Sequence, residues 1–436
     1  YVTANAGTGK RIVNAIEPSA APSMQFNQFD DVLYYEKDLV NGGKVGRRWF
    51  GEQFNIDDSQ EFSFTIPNID TSVPVELKIN TASKSFGISS FNFNVNTTNL
   101  GTITFPPLVA FSGIEGYEST LNTTFNATSS SVSIRLTYDN GGVPNSNGYL
   151  DFIRLKTKRN LIGFGKQFMF FNDAEQTNIG IGQYNLTSAS AISQVWDVTD
   201  IYNVSKYVNT SGANFSFKVN LGTARKYVAV DLGDVFLPSK ESSSTVVNQN
   251  IKGTIFNDAS GNFQDIDYLI FTPQFLVNQA ETLANFHRTN SGMSVRVVPL
   301  ESLYQEFSSG KQDVGAIRNL VKYVYWNASS PDKRVKYVNL FGDASYDYKN
   351  RIPNNNNIVP VFHGFNPLAS ETNNTTNFSL YSSFMSDDFY GMMDDGEGPM
   401  TTGFDGIDVA VGRMLVTTTS QAQEMVNKVI EYHDEN

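Results

Sequence analysis

Hydrophobic and polar positions alternate in short runs between residues 25 and 260. EFSFTI sets Phe62, Phe64 and Ile66 on one side, VELKI does so with Val75, Leu77 and Ile79, VSIRLTY with Val132, Ile134 and Leu136, and FSFKVNL with Phe215, Phe217 and Val219. A period of two is that of a strand with one buried face. Gly, Asn, Ser and Pro turns separate the runs and no helical pattern interrupts them, so the region predicts antiparallel β-sandwiches. In YLDFIRLKTKRNL, residues 149–161, Leu150, Phe152 and Leu155 oppose Asp151, Arg154 and Lys156. That strand closes a first sandwich over 25–160 and leaves a second β-rich module over 161–260, although one larger β-domain fits the pattern too. Residues 1–24 hold Gly, Ala, Ser and Pro without periodicity and read as a tail or linker.

The rhythm changes after residue 261. DYLIFT (267–272) is a continuous apolar strand, and Leu276, Ala280, Leu283, Ala284 and His287 follow at helical spacing. MSVRVVPL is a second strand, Val314, Ile317, Leu320, Val321 and Val324 mark a second helix, and VKYVNLF is a third strand. A fourth strand, IDVAVGR (407–413), precedes a helix whose Ser420 and Gln423 have capping-box spacing and whose apolar face is Ala422, Met425, Val426, Val429 and Ile430. Strand and helix in alternation predict a mainly parallel sheet covered on both faces. Because the last helix should lead into another strand, the α/β unit over 261–436 is expected to be incomplete.

Composition narrows the function classes. The 436 residues are 40% hydrophobic and 17% charged, with 33 phenylalanines and 20 tyrosines, which describes a folded, aromatic-rich chain. A net charge of -12 without a basic cluster excludes nucleic acid as a partner. There is no cysteine, so these residues supply no disulfide, thiolate metal site or cysteine nucleophile. No apolar run reaches the length that spans a bilayer. AGTGKR (6–11) is not a phosphate-binding loop, since Ala4 stands where that motif needs glycine.

Two loops could carry chemistry. GDASYD (342–347) leaves a buried strand at its carboxyl end, where parallel sheets bind ligands; its alternative is a turn that satisfies its own backbone. FMSDDFYGMMDDGEG and FDGID (384–408) crowd Asp387, Asp388, Asp394, Asp395, Glu397, Asp405 and Asp408 into a glycine-rich stretch. Hard oxygen donors of this kind suit calcium, with Asp387, Asp388, Asp394, Asp395 and Asp408 as its candidate ligands, against a solvated acidic loop. Of the three histidines, His287 belongs to an apolar helix face, His433 to a last helical turn, and His363 to a loop able to meet Asp343. A Ser345, His363, Asp343 triad lacks the G-x-S-x-G elbow, and no paired histidines suit zinc.

GDASYD, SDDFYG (386–391), DVAVGR (408–413) and SQAQEMVNKVIEYH occur here in the order found in gingipain-type cysteine peptidases, which this sequence resembles. YYEKDLVN (34–41), GRRWFGEQF (46–54), YLDFIRL (149–155) and VWDVTD (195–200) are similar to the β-rich region of one branch, the signal peptidases and sortases of type IX secretion. The resemblance implies a gingipain-like, caspase-like α/β subdomain behind the sandwiches. It implies a protein on the outer face of the bacterial outer membrane that removes carboxy-terminal signal domains from secreted cargo and joins the cargo to anionic lipopolysaccharide through a thioester. The implied partners are the cargo, the lipopolysaccharide and an outer-membrane β-barrel anchor such as PorV; no cofactor is required. The family's catalytic histidine sits in a Gly-His-Gly turn and its cysteine at a later strand end. Neither motif is in this sequence, so no catalytic residue is assigned, and these 436 residues are expected to be inactive alone. The competing expectation is a non-catalytic surface sandwich that binds glycan or protein.

Overall fold

The computed structural model describes residues 8–434, except 45, 57, 238, 240–248, 366–367, 370–374, 381–382 and 401–405. Within the expected amino-terminal linker, residues 8–24 carry one short strand and begin a second. β1 (Val13–Asn14) pairs in parallel with Ser205–Val208, and β2 (Met24–Phe26) with Ile181–Leu186. Pairings of two and three residues are too short to show a period, which is why the sequence pattern hid them.

The first sandwich contains β3 (Gln28–Glu36), β4 (Ser59–Thr65), β5 (Val75–Lys84), β6 (Ser89–Val95), β7 (Thr98–Phe105), β8 (Ile114–Phe125), β9 (Ser131–Asp139) and β10 (Asn147–Asn160). Its sheets run β8-β5-β10-β3 and β7-β6-β9-β4, all antiparallel. The alternating positions meet between them, with Phe62, Phe64, Ile79, Ile134, Leu136 and Leu155 in one core.

The second sandwich contains β11 (Phe168–Phe170), β12 (Ile181–Leu186), β13 (Ile192–Asp197), β14 (Ser205–Val208), β15 (Phe215–Asn220) and β16 (Tyr227–Asp231). Sheets β1-β14-β13-β16-β11 and β15-β12-β2 enclose a core rich in aromatic rings. Glu175 is fully buried inside it. Its carboxylate accepts from Tyr184 Oη at 2.7 Å, from Tyr227 Oη at 2.8 Å and from Arg225. A buried carboxylate is tolerated only with such partners.

The α/β unit then follows as β17 (Tyr268–Thr272), α1 (Val277–Asn290), β18 (Val295–Pro299), α2 (Leu300–Phe307), α3 (Val314–Trp326), β19 (Tyr337–Phe341), β20 (Phe362–Phe365), β21 (Thr375–Ser379), β22 (Ser383–Ser386), β23 (Ala410–Met414) and α4 (Thr419–Asp434). Its sheet has the order β18-β17-β19-β23 and is wholly parallel. One face packs on α1 and α4, the other on α2 and α3. The cap of α4 falls two residues before the expected one. Thr418 Oγ1 accepts from Gln421 N at 3.2 Å, and Gln421 reaches back to Thr417 N at 2.9 Å.

The boundary at 261 needs one correction. β21, inserted between β19 and β23, leaves the α/β unit and pairs antiparallel with β8 of the first sandwich. Phe378 from this strand is 2% exposed and packs with Phe50, Ala82 and Tyr149. The crossing is possible because Gly116 faces the ring: a Cβ there would lie 2.3 Å from Phe378 Cζ.

Candidate functional site

The carboxyl ends of β19 and β23 gather the motifs. Gly342 ends β19 in close contact with the returning chain, since a Cβ there would stand 2.6 Å from Val359 Cγ2. The backbone of Asp343 is fully used: its N–H donates to Val416 O, and its carbonyl accepts from Ile358 and Val359, each at 3.0 Å. Asp343 Oδ1 accepts from Ala344 N, and Ser345 Oγ accepts from Asp347 N. Asp347 is fully buried. Its Oδ2 accepts from the amides of Arg351 and Ile352, and its carbonyl from Asn355 Nδ2 at 2.7 Å. GDASYD is therefore a loop that organises itself around Asp347, with Asp343 and Ser345 committed to backbone partners. No triad forms: the side-chain oxygens of Asp343 and Ser345 are taken by backbone N–H groups, and neither bonds to the ring of the buried His363.

This loop also docks on the first sandwich. Trp49 stacks on Tyr346 with ring centres 6.2 Å apart, meets the edge of Tyr348, and carries the Arg351 guanidinium over its face at 5.4 Å. Asp38 pairs with Lys349 and, at 3.7 Å, with Arg351. Beside Trp49, Arg48 donates to Glu118 and Asp151, both nearly buried. The motifs GRRWF and GDASYDYKN thus form one interface.

The five carboxylates proposed for calcium separate. Asp387 is held by Arg413, Asp395 by Lys322 Nζ at 2.7 Å, and Asp408 Oδ2 accepts from Met393 N at 2.9 Å. Asp388 opens a short helical turn with its N–H on Ser386 Oγ, and the Asp394 N–H donates to Glu397. Asp405 lies outside the described residues. Among the described residues no three His, Cys, Asp or Glu side chains come together to hold a metal ion. For Asp387, Asp395 and Asp408 the partners are donors of the protein itself.

A cleft of about 300 Å³ opens between the sandwich turn at Arg47, the start of α3 at Gln312–Val314, and the segment Pro360–His363, with Tyr348 and Asn357 completing it. Burial lowers the pKa of His363, and the positive charge of Arg47 adds to the effect, while the backbone of Gly46 and Ser345 opposes it. Sequence reasoning named His363 but not Arg47, because a turn arginine in a strand-rich region carries no periodic signal.

The α/β unit is peptidase-like in class: residues 262–436 match the family model described as Peptidase family C25, the gingipain family. Across 97% of the chain the fold is that of the crystal structure of dimeric latent PorU from Porphyromonas gingivalis, with a TM-score of 0.76 and 22% sequence identity. The chain spans 39% of the length of that structure's chain. A carbohydrate-binding module, CBM36 in complex with calcium and xylotriose, aligns at TM-score 0.19 and 13% identity over 29% of this chain and 98% of its own. The C-terminal CBM6 of LamC, a marine laminarinase from Zobellia galactanivorans, aligns at TM-score 0.18 and 19% identity over 29% and 98%. Comparison with curated protein sequences finds no match. No helix among the described residues is long and apolar enough to cross a membrane.

Proposed function

We propose that this chain is the sandwich region and first α/β subdomain of a cell-surface cysteine peptidase and sortase of type IX secretion. The observation that carries the proposal is the PorU fold running through both sandwiches and the α/β unit, together with the C25 match over 262–436. The enzyme cleaves carboxy-terminal signal domains from secreted cargo and passes the cargo, through a thioester, to an amine of anionic lipopolysaccharide. Since these 436 residues hold no cysteine, the nucleophile is supplied by other residues of the complete protein. The sandwiches present cargo or dock to a β-barrel anchor such as PorV at the outer face of the outer membrane, and the α/β subdomain supports the catalytic one.

The complete gene product, incubated with a cargo protein bearing its signal domain, tests this. Intact-mass measurement should show loss of the signal domain, and hydroxylamine should capture the cargo as a hydroxamate. No cleavage, or cleavage that survives replacement of every cysteine by alanine, overturns the proposal.

A further inference from the structure

The sheet β8-β5-β10-β3 buries one face in the first sandwich and leaves the other open. Ile153 and Leu155 of β10 and Leu77 and Ile79 of β5 lie in the core, with Leu33 of β3 and Leu121 of β8 packed against it, so the residues between them point outward. The antiparallel register sets four of these in one row: Tyr34 opposite Arg154, Arg154 opposite Lys78, and Lys78 opposite Asn122. Like charges directly opposite each other cost a sheet stability. Neither Arg154 nor Lys78 forms an ion pair among the described residues, whereas the next outward cations of β10 do: Lys156 with Asp173, and Lys158 with Asp30. The acids of this face, Glu36 and Glu76, stand in the rows on either side, opposite Phe152 and Lys156.

An aromatic platform adjoins the two cations. Tyr34 stacks on Phe152 with ring centres 5.3 Å apart and planes 24° from parallel, and it remains 53% exposed. Lys78 Nζ stands 5.9 Å from the centre of the Phe152 ring, which joins rings and cations into one surface. A depression of about 440 Å³ continues from Arg154 and Lys78 across Asn122, Thr124 and Glu76. A guanidinium beside an ammonium matches an anionic oxygen group. The platform matches the apolar C–H face of a pyranose, and the amide, hydroxyl and carboxylate of the depression match sugar hydroxyls. An acidic peptide would answer the charge and leave the platform unused.

We propose that this sheet face binds an acidic polysaccharide. Arg154 and Lys78 hold the carboxylate or phosphate of one sugar, the ring of a neighbouring sugar lies on Tyr34, and Asn122 and Thr124 meet hydroxyls in the depression. The site goes beyond the peptidase reading and stands on the sheet alone. A failed cleavage assay leaves it standing, and a failed binding assay leaves the peptidase standing.

Fluorescence anisotropy of end-labelled hexamers, titrated with the 436-residue chain, tests this. Two probes are acidic glycans: hexamannuronate, and mannohexaose phosphorylated at its primary hydroxyls. Two are controls: plain mannohexaose, with the ring and no charge, and hexaglutamate, with the charge and no ring. At least one acidic glycan should bind saturably, and which of them binds tighter tells carboxylate from phosphate. Both controls should bind about tenfold more weakly or worse. Arg154→Gln, Lys78→Gln and Tyr34→Ala, all on the outward face, should keep the circular dichroism spectrum and each weaken the acidic glycan by about tenfold. No binding of either acidic glycan, a control that binds as tightly, or wild-type affinity in any of these variants would overturn the assignment.

Discussion

Arg413 grips the carboxylate of Asp387 with two hydrogen bonds, 2.8 Å from Nε and 2.6 Å from Nη2, while its Nη1 donates to the carbonyls of Gly342 and Val359. The side chain is 8% exposed, and that of Asp387 24%. One guanidinium thereby ties the ends of β19 and β23 to the SDDFYG turn. A planar five-donor fork can do this and an ammonium cannot.

Removing one partner of a nearly buried pair leaves the other charge stranded. Asp387→Ala should destabilise the α/β unit by about 3 kcal/mol, the lower end of the range for broken buried pairs. In a chain of several cores a single melting curve mixes transitions. Amide hydrogen exchange in β23 is the better probe, with opening ~100-fold faster than wild type. Protection unchanged in β23 would show that the packing of Val409 and Val411, not the ion pair, fixes this strand.

The β21 insertion makes a second, separable prediction. Phe378 is the apolar side chain by which this strand enters the small cluster of Phe50, Ala82 and Tyr149. Phe378→Ala should cost about 3–5 kcal/mol, as large-to-small changes in cores do. The loss should appear locally, as faster exchange in Asn377 and Ser379 and in the facing part of β8, with the second sandwich untouched. Gly116→Ala should act at the same place, because its new methyl would have to displace the ring.

Much of this architecture was legible in the sequence, and the parts that were not share a cause. Phe62, Phe64, Ile134 and Leu136 alternate because each strand buries one face, so the sandwiches could be read directly. Ile317, Leu320 and Val324 gave α3 in the same way. Helix α2 was missed because it begins at Leu300 directly after the strand residue Pro299, with no capping side chain to announce it. β21 was missed because its partner lies some 260 residues away in the chain, a relation no local period carries. At the site, the partners of Asp387 and Asp395, Arg413 and Lys322, come from other elements, so the acidic run showed no pairing in the sequence.

That pairing bears on calcium. With Asp387, Asp395 and Asp408 already held by protein donors, calcium should give no saturable stabilisation, and chelation should leave the melting temperature unchanged. Differential scanning fluorimetry across a calcium titration measures this. A rise in melting temperature that saturates with calcium and disappears in Asp387→Asn or Asp408→Asn would instead establish a site.

Acid should weaken the fold earlier than its carboxylates alone dictate. Burial lowers the pKa of His363 below its ordinary 6.5, and burial followed by the charge of His433 does the same to His287. Well above pH 6.5 these rings are neutral in both states and contribute no pH dependence. As pH falls below 6.5 the unfolded chain takes up the protons first, so stability declines until the lowered folded values are passed. The surface carboxylates with lowered values, Asp265 and Asp395 among them, start from 3.8 and act further down. His363→Asn removes one of the two histidines from the balance, and the difference between its profile and that of wild type isolates the ring from every other group. Between pH 7 and pH 5 the wild type should lose more in melting temperature than the variant. Parallel profiles would mean that His363 takes up its proton as readily in the folded protein as in the unfolded chain, and that the cleft is wet enough to solvate an imidazolium.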